Sequence, residues 1–330
     1  MIDPEEPVRD PAEFIGHAGL VRRIFSRIAA DRPQSVAVIG GKRSGKTSLL
    51  ACISDDGRIR SLPEGDRFMF LRMSAKRETY RDTDSFLAVL MDLLPASGGD
   101  GANRYEVVRR RIDALHEAGR RVIVFLDDFH FITTNTFFRL EFFSFLRSMA
   151  NNYNLAYVTT SILELQKLCA VKDVQESPFF NIFTNLHLGM LLPEDARALF
   201  TRVTGLGEEL AERVTSWCGG SPYLLKKAGE RLASENAPEC LDDPGLERIL
   251  YPIAEPYFEE IMGLLLPEAY KPLLAISKGR VPELSSAHYL DSLLKQGFLV
   301  ERREEISCFS PAFSLFLRKG LAPGLLKGKG

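Results

Sequence analysis

Cysteine is scarce and scattered. The five, Cys52, Cys169, Cys218, Cys240 and Cys308, form no CxxC pair and are odd in number, so neither a disulfide framework nor a zinc knuckle is expected, and a reducing compartment fits. Long apolar runs are missing: nothing approaches the roughly 18 consecutive apolar residues of a membrane span, and no membrane partner is expected. The N-terminal MIDPEEPVRDP is acidic and proline-bearing where a secretory signal needs a basic start and an apolar run, so a cytoplasmic location is the expectation. Charge of one sign is not in excess. Lys and Arg number 42 against 44 Asp and Glu, a formal net charge of −2. That balance gives nucleic acid or anionic lipid no global attraction and leaves any such binding to a local basic patch. No internal repeat is visible, and only the tail APGLLKGKG is compositionally biased.

What is present is the composition of a soluble globular chain. Hydrophobic residues make up 45% and charged residues 26% of 330, enough for sizeable cores and about two or three domains. GLVRRIFSRIAA (19–30) has apolar residues at helical spacing, and SVAVI (35–39) is a short buried-strand run ending in glycines. RFMFLRMSA (67–75) reads as a second strand, followed by helices over 84–94 and 105–119 with a flexible SGGDGAN between them. RVIVFLDD (121–128) is a fully buried strand by composition, a Phe-rich helix follows to about Ala150, and LAYVTTS (155–161) and TNLHLGML (184–191) read as further strands. Strands alternating with helices predict a parallel sheet with helices on both faces. From PEDARALFTRVTG to about Leu241 the pattern is helical only. From about Tyr251, YFEEIMGLLL, EAYKPLLAISKG and SAHYLDSLLKQG read as helices, FLVERREEISCFS as a hairpin and FSLFLRKG as a terminal helix.

The segment Gly40-Gly41-Lys42-Arg43-Ser44-Gly45-Lys46-Thr47 satisfies G-x-x-x-x-G-K-[ST], between a predicted strand and a predicted helix. Glycines let backbone N–H groups curl around phosphate oxygens, the helix N-terminus adds positive potential, and a lysine and a hydroxyl complete the cradle. Lys46 is expected to reach the β- and γ-phosphates and Thr47 to ligate Mg²⁺, with Ser48 following in the same turn. A metal on a triphosphate also needs a carboxylate at the end of a nearby strand, and VIVFLDD supplies Asp127 for the metal and Asp128 to orient or deprotonate an attacking water. The same DDFH could simply end a strand. No [NT]KxD guanine-recognition sequence follows Asp128, which favours ATP over GTP. The segment between Lys46 and Asp127 holds a complete strand and two helices, so the loop strand and the acidic strand are not expected to be sheet neighbours.

This arrangement, with a second carboxylate beside Asp127, resembles the additional-strand division of P-loop ATPases. The resemblance implies that the strand between the two ends in a residue sensing the γ-phosphate. The end of LAYVTTS offers Thr160 or Ser161, with Ser161 taken as the catalytic candidate, and either hydroxyl would also cap a following helix. Further segments look like archaeal-type and STAND-like ATPases, relatives of the AAA+ and origin-recognition proteins. EFIGH (13–17) resembles the F-x-G-R element against the adenine, implying contact from Ile15, with His17 standing where that element carries Arg. NLHLGMLLPEDARALF (185–200) resembles the strand-to-lid transition, and CGGSPYLLKKAG (218–229) the lid's G-x-P element, which would set Pro222 against the nucleotide. FSPAFSLFLRKG (309–320) resembles the last helix of the family's winged-helix domain.

The expected fold is therefore α/β. A P-loop core over 1–191 precedes a helical lid over 192–245, a winged-helix domain over 246–320 and a flexible tail over 321–330. Asp128 stands where many relatives have Glu, one methylene longer, so turnover is expected to be slow. Arg139 and Arg147 on the Phe-rich helix are the available arginine fingers. On that helix Phe138, Phe142, Phe145, Leu146 and Met149 form a core stripe from which Phe137 and Phe143 fall off. Arg302 and Arg303 on the wing, with Lys278, Arg280 and Lys295, invite a DNA-binding reading, but Glu301, Glu304 and Glu305 offset them. The resulting expectation is a slowly hydrolysing Mg-ATP switch acting through self-association or a protein partner. A DNA-associated ATPase and a nucleotide-bound scaffold without catalysis are the alternatives.

Overall fold

A computed structural model describes residues 5–75, 80–96, 103–234, 242–302 and 305–320. Cys240, Arg303, Glu304, most of SGGDGAN and the tail 321–330 lie outside the described residues. The chain divides into two units. One holds Val8–Gly40 and Lys46–Leu188; the other holds residues 5–7, Gly41–Gly45 and the described chain from Gly189 onward.

The first unit follows the apolar runs. Helix α1 (Ala18–Ile28) leads into strand β1 (Ser35–Ile39), α2 (Lys46–Ile53), α3 (Asp56–Arg60), β2 (Phe68–Ser74), α4 (Thr83–Leu93) and α5 (Arg104–Glu117). Then come β3 (Arg121–Asp127), α6 (His130–Thr133), α7 (Leu140–Asn152), β4 (Leu155–Ser161), α8 (Lys172–Gln175) and β5 (Phe183–His187). The sheet is parallel throughout, in the order β2-β3-β4-β1-β5. Strand β4 lies between β1 and β3, which are not neighbours, while β2 takes the edge beyond β3. β1 and β4 are buried at every position, as strands covered on both faces must be. Successive side chains of β3 serve opposite cores. Ile123 and Phe125 join Ile24 of α1 and Leu49 and Ile53 of α2. Val122, Val124 and Leu126 join Phe86 of α4, Ile112 of α5 and Leu146 of α7.

The expected Phe-rich helix is broken into α6 and α7. Thr133 and Thr134 donate their hydroxyls to the His130 carbonyl at 3.1 and 2.9 Å, and the Asn135 side chain accepts from the Phe137 N–H at 3.0 Å. These side-chain bonds offer the backbone an alternative to the helical ladder. Phe138 is buried although it precedes α7, and Phe137 is 70% exposed. Phe143 is fully buried, not off the core, because Phe179 and Phe180 cover it with ring centroids at 5.5 and 6.0 Å. β5 also ends at His187, short of the expected Leu191.

The second unit contains α9 (Pro193–Thr204), α10 (Glu208–Cys218), α11 (Pro222–Ser234), α12 (Asp243–Met262), α13 (Tyr270–Ser277) and α14 (Ala287–Lys295). Strands β6 (Leu299–Arg302) and β7 (Glu305–Cys308) form an antiparallel pair, with Leu299 opposite Cys308, before α15 (Pro311–Gly320). Helix α12 starts well before the expected YFEEIMGLLL. Its N-cap Asp242 accepts from the Gly245 N–H at 2.9 Å, and it continues through Pro252 and Pro256. Each interior proline removes one ladder bond. Burial of Leu250, Ala254, Tyr257, Phe258 and Ile261 outweighs that local penalty. Phe258 sits among Phe309, Phe313 and Phe316, with centroids at 6.2, 5.3 and 5.4 Å. Among the described residues no helix is long and apolar enough to cross a membrane.

Candidate nucleotide-binding site

β1 delivers the chain to Gly40, whose N–H donates to the Ser161 carbonyl at 3.1 Å. The turn that follows has positive φ at Arg43 (60°) and Gly45 (94°), and α2 opens at Lys46. An added Cβ at Gly45 would meet nothing within 4 Å, so glycine is required there for its dihedral and not for space. The Lys46 ammonium is buried and donates to the Gly40 carbonyl at 2.9 Å. Burial lowers its pKa, while the charges of Asp128 and Asp127 act in the opposite sense.

The acidic end of β3 meets the start of α2. Thr47 Oγ1 donates to Asp127 Oδ2 at 2.8 Å, and Thr160 Oγ1 donates to Asp127 Oδ1 at 2.6 Å. The same Thr160 oxygen accepts the Asp128 N–H at 2.7 Å, and the Thr160 carbonyl accepts the Phe129 N–H at 2.9 Å. Thr160 therefore fixes both carboxylate residues, including Asp128, which sits at φ 54° in the left-handed region that costs a side-chain-bearing residue energy. Alternation along the strands explains the meeting. Asp127 is in phase with Ile123 and Phe125, and Thr160 with Ala156 and Val158; those four residues share the core that holds Leu49 and Ile53 of α2. Ser161 is out of phase. Its hydroxyl donates to the Leu163 carbonyl, so its link to the loop is through its main chain.

Thr160→Val keeps the shape and removes both bonds. It is expected to destabilise the protein by about 1–3 kcal/mol, because Asp127 Oδ1 loses its Thr160 donor and the Asp128 N–H its Thr160 acceptor. Ser161→Ala loses one neutral bond, worth about 0.5–1.5 kcal/mol. Denaturant unfolding of the two variants side by side checks this, and equal midpoints would contradict the clamp.

The other expected residues are distributed as follows. Ser48 Oγ accepts the Val8 N–H at 3.0 Å. Ile15 is half-buried, and the neighbouring His17 is the N-cap of α1 with φ 57°. Pro222 is the first residue of α11, after Gly219 and Gly220 with φ 66° and 82°. Lys42 and Arg43 pair with Glu260, and Arg43 also with Glu5. Neither glutamate carries a sequence signal. His130, also unanticipated, brings Nδ1 to 4.0 Å from Asp128 Oδ1. Arg139 and Arg147 are exposed, the former as the N-cap of α7. An open groove of about 970 Å³ lined by Arg197, Thr201, Arg202, Glu208, Glu209 and Glu212, with Ala198 and Ala211, includes none of these residues.

The donor set fits a polyphosphate with a divalent cation. Ser44 Oγ is buried with no hydrogen-bond partner among the described residues, a cost that an incoming acceptor oxygen removes. A hydroxyl and a carboxylate in contact are hard oxygen ligands of the kind Mg²⁺ takes.

A family model described as an AAA domain matches residues 29–168, and one described as Novel STAND NTPase 2 matches residues 106–240. The regulatory protein AfsR of Streptomyces griseus is 26% identical over 244 residues, which cover 69% of this chain and 22% of that protein. The chain thus spans about a fifth of that relative. A Walker-type ATPase of Pyrococcus abyssi has a TM-score of 0.65 at 15% identity, covering 95% of this chain and 99% of its own. The ORC2 protein of Aeropyrum pernix, solved in ADPNP and ADP complexes, has a TM-score of 0.51 at 12% identity, covering 96% of each chain.

Proposed function

We propose that the chain, which matches an AAA domain over residues 29–168 and a STAND NTPase over residues 106–240, is a STAND-like P-loop ATPase of the AAA+ superfamily that binds Mg-ATP at residues 40–47, hydrolyses it slowly and works as a nucleotide-dependent switch. The observation that carries this reading is the 2.8 Å bond between Thr47 and Asp127, locked by Thr160. When bound, Mg²⁺ supplies charge neutralisation on the phosphate oxygens. The backbone N–H groups of the loop and Lys46 hold the phosphates, and Thr47 and Asp127 hold the ion. Asp128 orients a water and takes its proton as the water oxygen attacks the γ-phosphorus and the bond to the ADP oxygen breaks. Thr160 keeps both carboxylates in register, and Ser161 ties the end of β4 to Gly40.

In this reading residues 192–245 form the lid, where Pro222 touches the nucleotide, and Ile15 borders the adenine. Residues 246–320 form a winged-helix domain that transmits the state to a protein partner or a second copy. Likeness to a regulatory protein supports the switch role. The shorter Asp at 128 supports slow turnover.

The test is single-turnover cleavage of γ-labelled ATP preloaded on the protein. Asp128→Asn is expected to retain the nucleotide and to cleave it about a hundredfold more slowly, the lower range for losing a general base. A wild-type protein that binds ATP and never cleaves it would reduce the function to a scaffold.

A further inference from the structure

The two cations at the variable positions of the loop are held by carboxylates that nucleotide binding does not require. Lys42 Nζ lies 2.5 Å from Glu260 Oε1, and Arg43 Nε donates to Glu260 Oε2 at 2.8 Å, so one carboxylate of α12 grips both. Arg43 Nη1 pairs with Glu5, and its guanidinium lies 4.3 Å over the Tyr223 ring of α11. Glu5 is itself anchored: it accepts the Tyr223 hydroxyl at 3.0 Å and lies 3.5 Å from Lys227 of α11. Two edges and one face of Arg43 are therefore engaged, at a residue whose backbone is left-handed.

The charges behave as a linked set. Burial raises the Glu260 pKa, but hydrogen bonds from Lys42 and Arg43 outweigh it and hold the carboxyl below its usual range. Glu5 is depressed in the same way by Arg43 and Tyr223. Both glutamates are thus ionised across the physiological range. An isolated exposed pair contributes little. Here the partners are shared and the Arg43 and Glu260 side chains are only 30% and 27% exposed, which favours a fixed geometry.

We infer that Glu260 is a positioning residue for the phosphate loop, tying Lys42 and Arg43 to α12 so that phosphate occupancy and the state of α12 form one coupled equilibrium. This rests on the nucleotide reading above. Phosphate oxygens on the loop's N–H groups need fixed dihedrals at 43–45, and the grip of Glu260 on both cations restrains that stretch in place. Anything that shifts the loop therefore shifts α12, and the influence is reciprocal.

The experiment measures two things on the full chain: release of a fluorescent ADP analogue after Mg-ADP chase, and amide hydrogen exchange over α12 with and without Mg-ATP. It is run at about 0.3 M KCl, where the long-range effect of deleting one charge is screened. Glu260→Gln is expected to release nucleotide about tenfold faster, within the usual range of coupling between sites, and to lose the wild-type change in α12 exchange. Glu260→Asp should recover part of both. Glu5→Gln, at the far side of the same guanidinium, should show a smaller effect in the same direction and keeps the test open if the first variant folds poorly. Wild-type release from both Gln variants, or an unaltered α12 response in Glu260→Gln, overturns the proposal while leaving nucleotide binding intact. A wild-type protein that binds no nucleotide overturns the functional reading and this inference with it.

Discussion

Replacing Lys46 with Ala is expected to weaken Mg-ATP binding by about three orders of magnitude, equivalent to about 4 kcal/mol. The ammonium is buried, bonded to Gly40 at 2.9 Å and electrostatically coupled to Asp128 and Asp127. Alanine removes charge-assisted bonds to phosphate worth about 1.5–3 kcal/mol each. It also leaves two carboxylates facing a polyanion without their cation. The bonded Thr47, Asp127 and Thr160 should survive, since Lys46 takes no part in those contacts. Lys46→Arg should not rescue, because a planar fork cannot replace a point charge seated on one carbonyl. Titration with a fluorescent ATP analogue, alongside thermal melting to confirm folding, decides the matter. A loss below about tenfold would mean that the loop is not the nucleotide site.

Much of this site is visible in the sequence because its parts are local. SVAVI and LAYVTTS end where the strands end, since unbroken apolar runs bounded by turn residues have few alternatives. The glycine loop and the DD pair are contiguous motifs. That β1 and β3 are not neighbours follows from what lies between them, yet which strand fills the gap depends on long-range packing. The choice between Thr160 and Ser161 turns on strand phase. Both are small hydroxyls at a strand end, and only the face that carries α2 distinguishes them. Glu260 lies 217 residues from Arg43 and is one acidic residue among 44, so no spacing rule could single it out. The break between α6 and α7 does have a readable cause in Thr133, Thr134 and Asn135, which compete with the helix. The density of phenylalanines around them hid it.

Gly219→Ala is expected to cost about 4–5 kcal/mol, a large share of the roughly 5–15 kcal/mol that keeps a domain folded. The glycine caps α10 with φ 66°, where an L side chain costs about 1–2 kcal/mol. A Cβ there would stand 2.0 Å from the Phe309 carbonyl oxygen and 2.5 Å from Ser310 Cβ. Because the first obstacle is backbone, no rotamer relieves it, and the displaced segment carries Phe309 and Phe313, both packed on Phe258. Gly205 is the internal control: its φ is 69° and nothing lies within 4 Å of an added Cβ, so Gly205→Ala should cost only the dihedral penalty of about 1–2 kcal/mol. The single tryptophan of the chain, Trp217, is two residues from Gly219, and its fluorescence in guanidinium reports both variants. Equal unfolding midpoints would show that the close approach to Phe309 yields easily. A wide gap would mean that Gly219 is demanded by the backbone of Phe309; an added Cβ at Gly220 would likewise stand 2.4 Å from the Leu191 carbonyl oxygen. Their presence would then follow from packing within the second unit.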